Sequence, residues 1–102
     1  MAEPVQTLAK TFTHMNILTV KVGTNTPQGG DAGHGGRTVF ELTDEGGTAW
    51  KVEVLDDSGK VRSYPYNFKR IRLELYGDAE AETFLKALDF AVKVLKLQRG
   101  EL

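Results

Sequence analysis

The chain has 102 residues, of which 40% are hydrophobic, and this suits a single domain with a modest core. Its formal net charge of −1 argues against general nucleic-acid binding, and the absence of cysteine excludes both a disulfide scaffold and thiolate catalysis. No apolar run approaches the roughly 18 residues that cross a bilayer, and the N-terminus lacks a secretory signal, so we expect a cytoplasmic protein with no membrane partner.

Residues 1–15 show only a weak pattern. Val5, Leu8 and Phe12 have the spacing of one face of a short helix, but Pro4 and several threonines dilute it. We therefore predict a chain of three parts: an N-terminal arm or extension (1–15), a single α+β domain (16–98) and a C-terminal tail (99–102).

Several stretches downstream alternate apolar and polar residues, which is the period of a half-buried strand. They read NILTVKV, TVFELTD, TAWKVEVL, KVRSY and FKRIRLELY. The turn Glu45–Gly47 tolerates positive φ, so TVFELTD and TAWKVEVL are predicted to form a hairpin. The sequence thus predicts an antiparallel sheet of four to five strands.

A long helix is predicted after the last strand. Gly77 ends the sheet, Asp78 is a favourable N-cap residue, and about five turns follow from Ala79 toward Leu97. The stripe expected to pack on the sheet has helical spacing and contains Ala81, Phe84, Leu85, Leu88, Ala91, Val92 and Leu95. The predicted fold class is therefore α+β, with one C-terminal helix packed on one face of the sheet.

A second apolar stripe lies on another side of this helix and contains Ala87, Phe90, Val94 and Leu97. A single sheet covers only one side of a helix, so this stripe needs a second cover. We predict that it is the interface of a homo-oligomer. The alternative is cover by the arm, through Val5, Leu8 and Phe12.

Between the first two predicted strands, the stretch TPQGGDAGHGGRT (residues 26–38) holds five glycines. Glycine-rich turns let successive backbone amides point inward, and such nests bind anions. The stretch has neither the Gly-Lys-Ser/Thr ending of a P-loop nor the dinucleotide-binding glycine pattern. We predict contacts to a small anionic ligand from Asn25, Gln28, Gly29, Gly30, Asp31, His34, Gly35, Gly36 and Arg37. The alternative is a mobile connection.

The stretch KVRSYPYNFKRIR (residues 60–72) holds five basic residues, three aromatic residues and no acid. Interleaved basic and aromatic side chains suit a ligand with both a phosphate and a ring, such as a nucleotide. We therefore add Tyr66 and Arg70 to the predicted ligand site. The alternative is that these residues belong to the rim of the core and to a solvated strand face.

Catalysis and metal binding have weaker support in the sequence. The two histidines, His14 and His34, lie on different segments, and no ligand pair has helical spacing, so we predict no metal and no cofactor. A small hydrolase, in which Asp31 orients His34 as a general base, stays an alternative.

The chain also resembles small uncharacterised proteins of phage and prophage genomes. The resemblance rests on VGTNTPQGGDAGHGGRTVFEL and GDAEAETFLKALDFAVKVL, and it covers Met15 to about Lys96. It implies a viral accessory role against host defence, either by sequestering a nucleotide signal or by docking on a host protein. The leading prediction is thus a non-enzymatic binding module for an anionic, nucleotide-like molecule, and its rival is an inhibitor that contacts a host defence protein.

Overall fold

A computed structural model describes residues 5–63 and 69–101. These residues form β1 (Leu8–Thr13), β2 (Ile17–Thr24), β3 (Arg37–Gly46), β4 (Val54–Leu55), β5 (Val61–Ser63), β6 (Arg70–Tyr76) and α1 (Asp78–Gln98). The predicted α+β class is confirmed, with a four-stranded antiparallel sheet, a small two-stranded sheet and one C-terminal helix. Residues 1–4 of the predicted arm, Tyr66 of the predicted ligand site and Leu102 of the tail lie outside the described residues.

The four-stranded sheet has the order β1-β2-β3-β6. β6 pairs with β3 from Arg37 opposite Tyr76 to Thr43 opposite Arg70. Of the stretch TAWKVEVL, only Val54–Leu55 is a strand, and it pairs with β5 in the two-stranded sheet. The predicted hairpin of TVFELTD with TAWKVEVL is therefore wrong.

The end of β3 gives the physical reason for this difference. The Asp44 carboxylate accepts hydrogen bonds from the N–H groups of Gly46 (3.0 Å) and Thr48 (3.1 Å), and the Asn16 side chain donates to the Thr48 hydroxyl (2.9 Å). These bonds turn the chain away from the sheet, and the edge of β3 pairs with β6 instead. An alternating pattern indicates a half-buried strand but does not identify its partner.

β1 lies in the segment predicted as an arm. It pairs antiparallel with β2, and the hydroxyls of Thr11 and Thr19 share a hydrogen bond of 2.8 Å across the pair. The helical spacing of Val5, Leu8 and Phe12 was misleading, because β-branched threonines favour an extended chain beside an available strand edge. All of β1 is exposed, which is typical of an edge strand.

α1 packs on one face of the sheet, mainly over β3 and β6. The Phe84 ring meets Phe40 of β3 edge-on, with ring centroids 5.7 Å apart. Ala81 is buried and Leu88 is half-buried, as expected of the predicted stripe. Contrary to the prediction, the other members of that stripe are exposed in the single chain: Leu85, Ala91, Val92 and Leu95.

The core of the single chain is small. In the described part of the chain, the buried apolar residues are Val39 and Ala81, at 7% and 3% exposed. The chain exposes 7926 Å² in all, whereas a compact monomer of its mass exposes about 5,700 Å². The isolated chain therefore exposes more surface than a compact monomer of its mass.

Candidate functional site

The glycine loop, residues 25–37, folds over the start of α1. The Asp78 carboxylate accepts hydrogen bonds of 2.6–3.2 Å from the backbone N–H groups of Gln28, Gly29, Gly30 and Gly36. These bonds, the one from Gln28 above all, lower the pKa of Asp78 to about 2 because they stabilise the charged carboxylate. The loop amides thus converge on an anion, and that anion is a side chain of the same protein.

The contact between the loop and the helix is reciprocal. Asp31 Oδ1 accepts a hydrogen bond from the Ala79 N–H (2.8 Å), and the Glu80 carboxylate accepts one from the Ala32 N–H (3.1 Å). Backbone bonds join Gly77 N to Gly36 O (2.8 Å) and Asp78 N to Gly30 O (2.7 Å). The glycine loop and the N-terminus of α1 therefore form one hydrogen-bonded unit.

Asp78 is not the N-cap that the sequence predicted. Gly77 holds the cap position, and Asp78 is the first residue of α1 with its carboxylate on the loop. Asp31 of the loop supplies the capping bond instead, by accepting from the Ala79 N–H. Gly77 has a φ of +132°, which residues with a Cβ rarely adopt, and a Cβ there would lie 3.0 Å from the Ala32 backbone nitrogen, so this position favours glycine.

The polar side chains at the base of the loop bond within the loop. Asn25 Oδ1 accepts from the Arg37 N–H (2.7 Å), and Gln28 Nε2 donates to the Asn25 carbonyl oxygen (2.7 Å). Arg37 Nη1 donates to the carbonyl oxygens of Gly35 and Gly36, at 3.2 Å each. The loop is therefore anchored at its base as well as on the helix.

Asp31 and His34, the residues of the hydrolase alternative, do not pair through their side chains. The Asp31 carboxylate bonds Ala79, and His34 is exposed. The bond between them is a backbone one, from the His34 N–H to the Asp31 carbonyl oxygen (3.0 Å). His14 lies between β1 and β2, and within ranges 5–63 and 69–101 no three acidic or histidine side chains are placed to hold a metal ion.

A cavity of about 730 Å³ lies between the glycine loop and the start of α1. Asp31, Asp78 and Glu82 contribute carboxylates to its wall. None of the described residues that line it is basic. An anionic ligand therefore finds no counter-charge in this cavity.

A second cavity, of about 430 Å³, is lined by Val5, Thr7, Lys21, Arg37, Val39, Arg72, Glu74 and Tyr76. It lies on the sheet face away from α1, because Phe40 contacts α1 and neighbouring strand residues alternate between faces. We call it the sheet-face cavity. Strand pairing creates its cluster of cations, since Lys21 and Arg72 both lie opposite Glu41 and Arg37 lies opposite Tyr76.

Charge and stacking define the chemistry of the sheet-face cavity. The Arg37 guanidinium lies 4.6 Å from the centroid of the Tyr76 ring. The Tyr76 hydroxyl donates to the Glu74 carboxylate (3.0 Å), and this bond raises the pKa of Tyr76. Arg72 pairs with Glu74 (3.0 Å) and lies 4.0 Å from Glu41. With Lys21, three cationic side chains face two carboxylates, so the cavity wall is net positive.

Among the predicted ligand residues that the structure describes, Arg37 alone lines the sheet-face cavity. Arg70 stands two residues before Arg72 on β6, so it lies on the same face of the sheet, where it is exposed. Sequence reasoning missed Lys21 and Tyr76, because each stands in a stretch whose pattern indicates a strand and nothing more. Knowledge that β6 pairs with β3 would have predicted that Tyr76 lies beside Arg37.

The stripe predicted as an oligomer interface lies at the surface of the chain. Phe90 and Leu97 are 69% and 63% exposed, Ala87 is exposed, and Val94 is half-buried. The stripe is therefore available for contact with another molecule.

No protein-family model, curated protein or solved structure matches this chain. Nor does any helix in the described residues combine the length and the apolar character that a membrane span requires. The function must therefore be inferred from the geometry of the site.

Proposed function

We propose that the protein is a non-enzymatic binding module for a small anionic molecule that carries a ring, such as a nucleotide. The ligand binds in the sheet-face cavity, with its phosphate near Lys21 and Arg72 and its ring beside Tyr76. The observation that supports this is the convergence of three cations and an aromatic ring on one cavity of about 430 Å³. Small-ligand sites typically have volumes of this order.

In this proposal the glycine loop positions Arg37 and does not bind the ligand through its amides. Those amides donate to Asp78, whereas the Gly35 and Gly36 carbonyls hold the Arg37 side chain. A guanidinium that is already held in place loses less conformational entropy when it binds an anion. The loop thus contributes to affinity as a support for Arg37.

Two other functions were left open by the sequence. The hydrolase gains no support from the geometry, because the Asp31 carboxylate is bonded to the backbone of α1. The inhibitor of a host defence protein is the stronger rival, since the exposed edge of β1 offers backbone groups to an added strand. Under the ligand hypothesis, the resemblance to phage proteins favours sequestration of a nucleotide signal.

Titration calorimetry against mono-, di- and cyclic nucleotides tests this proposal. We expect one of these classes to bind, and Lys21→Ala to weaken binding about tenfold to a hundredfold, because a charge-assisted hydrogen bond contributes about 1.5–3 kcal/mol. Lys10→Ala is the matched control, since Lys10 stands on the neighbouring strand and faces the other side of the sheet.

Two results would contradict the proposal: no binding heat with any nucleotide, or equal losses in the two lysine variants. A nucleotide that binds and is then consumed, with the consumption lost in His34→Ala, would instead support the hydrolase.

A further inference from the structure

α1 covers only about half of the sheet. Four strands about 4.8 Å apart make a sheet about 19 Å wide, and a packed helix spans about 10 Å. α1 lies mainly over β3 and β6. A sheet of this width needs two helices on one face, and the part of the chain that the structure describes supplies one.

One row of residues across the strands shows which part of this sheet face α1 leaves exposed. Strand pairing places Leu8, Val22, Phe40 and Leu73 side by side on the face that α1 covers. Phe40 lies under Phe84, but Leu8, Val22 and Leu73 are 81%, 39% and 47% exposed, so the row is open on both sides of Phe40 and most open at Leu8. A groove of about 180 Å³ lies beside this contact, with Val22 and Phe40 on its sheet wall and Phe84, Leu85 and Leu88 on its helix wall. Leu8 of β1 pairs with Val22 at its outer edge, and we call the groove together with this exposed edge the β1–β2 groove.

α1 also carries a ridge on its other flank, formed by Ala87, Phe90, Val94 and Leu97. Ala87 borders Leu75 of β6, whereas Leu85 borders Val22 of β2, so the ridge and the groove lie on opposite sides of the helix. The ridge therefore cannot reach the groove of its own chain. Its most exposed member is Phe90, at 69%.

We propose that two copies of this chain pair reciprocally, the Phe90 ridge of each filling the β1–β2 groove of the other. A twofold axis makes the two contacts identical. The exposed area fits such a dimer, because 7926 Å² exceeds the surface of a compact monomer by about 2,200 Å². Obligate dimers bury about 1,000 Å² or more per protomer.

A second copy is favoured over an unrelated partner because the chain supplies both halves of the contact. The partner's α1 is the second helix that the four-stranded sheet lacks. The ligand site lies on the opposite sheet face, so this pairing does not depend on the proposed function.

Sedimentation equilibrium tests the pairing. At high micromolar concentration we expect the wild type to have twice the chain mass of 11.3 kDa. Phe90→Glu on the ridge and Leu8→Lys beside the groove should each give a monomer, because each places a charge in an apolar contact. Lys93→Glu, at an exposed position of α1 that belongs to neither apolar stripe, is the control and should stay a dimer.

The deciding experiment mixes the two monomeric variants. A heterodimer of Phe90→Glu with Leu8→Lys keeps one contact unaltered, and its other contact opposes a negative to a positive charge, so the dimer mass should return. Circular dichroism shows whether each variant is folded on its own. If one is not, recovery of the dimer mass on mixing still tests the pairing. A monomeric wild type, a dimer that survives either substitution, or a mixture that stays monomeric overturns the proposal.

Discussion

The Asp78 carboxylate accepts a hydrogen bond of 2.6 Å from the N–H of Gly29, which precedes it by 49 positions. The amides of Gln28, Gly30 and Gly36 donate to the same carboxylate, so one side chain anchors the glycine loop on the helix. Two segments that are far apart in the sequence are thus one structural element. A change in either segment should disturb the other.

We expect acid to release the glycine loop from α1. Folding lowers the pKa of Asp78 from 3.8 to about 2, chiefly through the Gln28 N–H, so the folded state favours the charged carboxylate. The stabilisation is complete above about pH 5 and is lost as the pH falls toward 2. In NMR spectra, the amide protons of Gln28, Gly29, Gly30 and Gly36 should shift together over this range.

Asp78→Asn is the matched comparison for this pH effect. Its side chain has the same size but carries no charge and does not titrate. We expect the four amide shifts to stay constant between pH 5 and pH 2 in this variant, and the thermal midpoint to fall less steeply with acid than in the wild type. If the loop amides still titrate in Asp78→Asn, another group is responsible.

Gly29 and Gly35 form a matched pair for testing the loop backbone. Their φ angles are +85° and +90°, but a Cβ at Gly29 meets nothing within 4 Å, whereas one at Gly35 would collide with the Gly30 backbone. We expect Gly29→Ala to lose about 1–2 kcal/mol of stability from backbone strain and Gly35→Ala to lose clearly more, as measured by urea unfolding. Equal losses would mean that close packing at Gly35 is not required.

The sequence predicted the elements of this fold better than their partners. Alternation and the helical stripe report the burial of one face, which is enough to identify strands, a helix and the α+β class. Pairing depends on contacts that are distant in the sequence, so TAWKVEVL was assigned to the edge of β3 that β6 occupies. β1 was missed because an exposed edge strand leaves little burial pattern.

The candidate site shows the same limit. The glycines indicated converging amides, but the acceptor, Asp78, lies 42 to 50 positions later and had a local explanation as an N-cap. Arg37 was predicted because it closes the loop, whereas its neighbour Tyr76 becomes visible only when the β3–β6 register is known. Local chemistry was therefore predictable, and chemistry assembled across strands was not.

Phe84 packs its ring against Phe40 of the sheet, so its truncation should destabilise the fold. We expect Phe84→Ala to lose about 2–3 kcal/mol, since the site is half-buried and a fully buried Phe→Ala change loses about 3–5 kcal/mol. Phe84→Leu should lose less than about 1.5 kcal/mol. Thr83→Ala, at the neighbouring exposed position, is the control for urea unfolding. A loss at Phe84 no larger than at Thr83 would show that the Phe40 contact does not hold the helix.

Tyr76→Ala and Tyr76→Phe separate the ring of Tyr76 from its hydroxyl in the proposed ligand site. The hydroxyl bonds Glu74, whereas the ring supports Arg37 and faces the sheet-face cavity. We expect Tyr76→Ala to weaken nucleotide binding by about 1–3 kcal/mol, the range for base–aromatic stacking, and Tyr76→Phe to bind like the wild type. Calorimetry with the nucleotide that binds the wild type measures both, and circular dichroism confirms folding. Equal losses of affinity in the two variants would assign the contact to the hydroxyl. Wild-type affinity in Tyr76→Ala would show that neither the ring nor the cavity around it belongs to the ligand site.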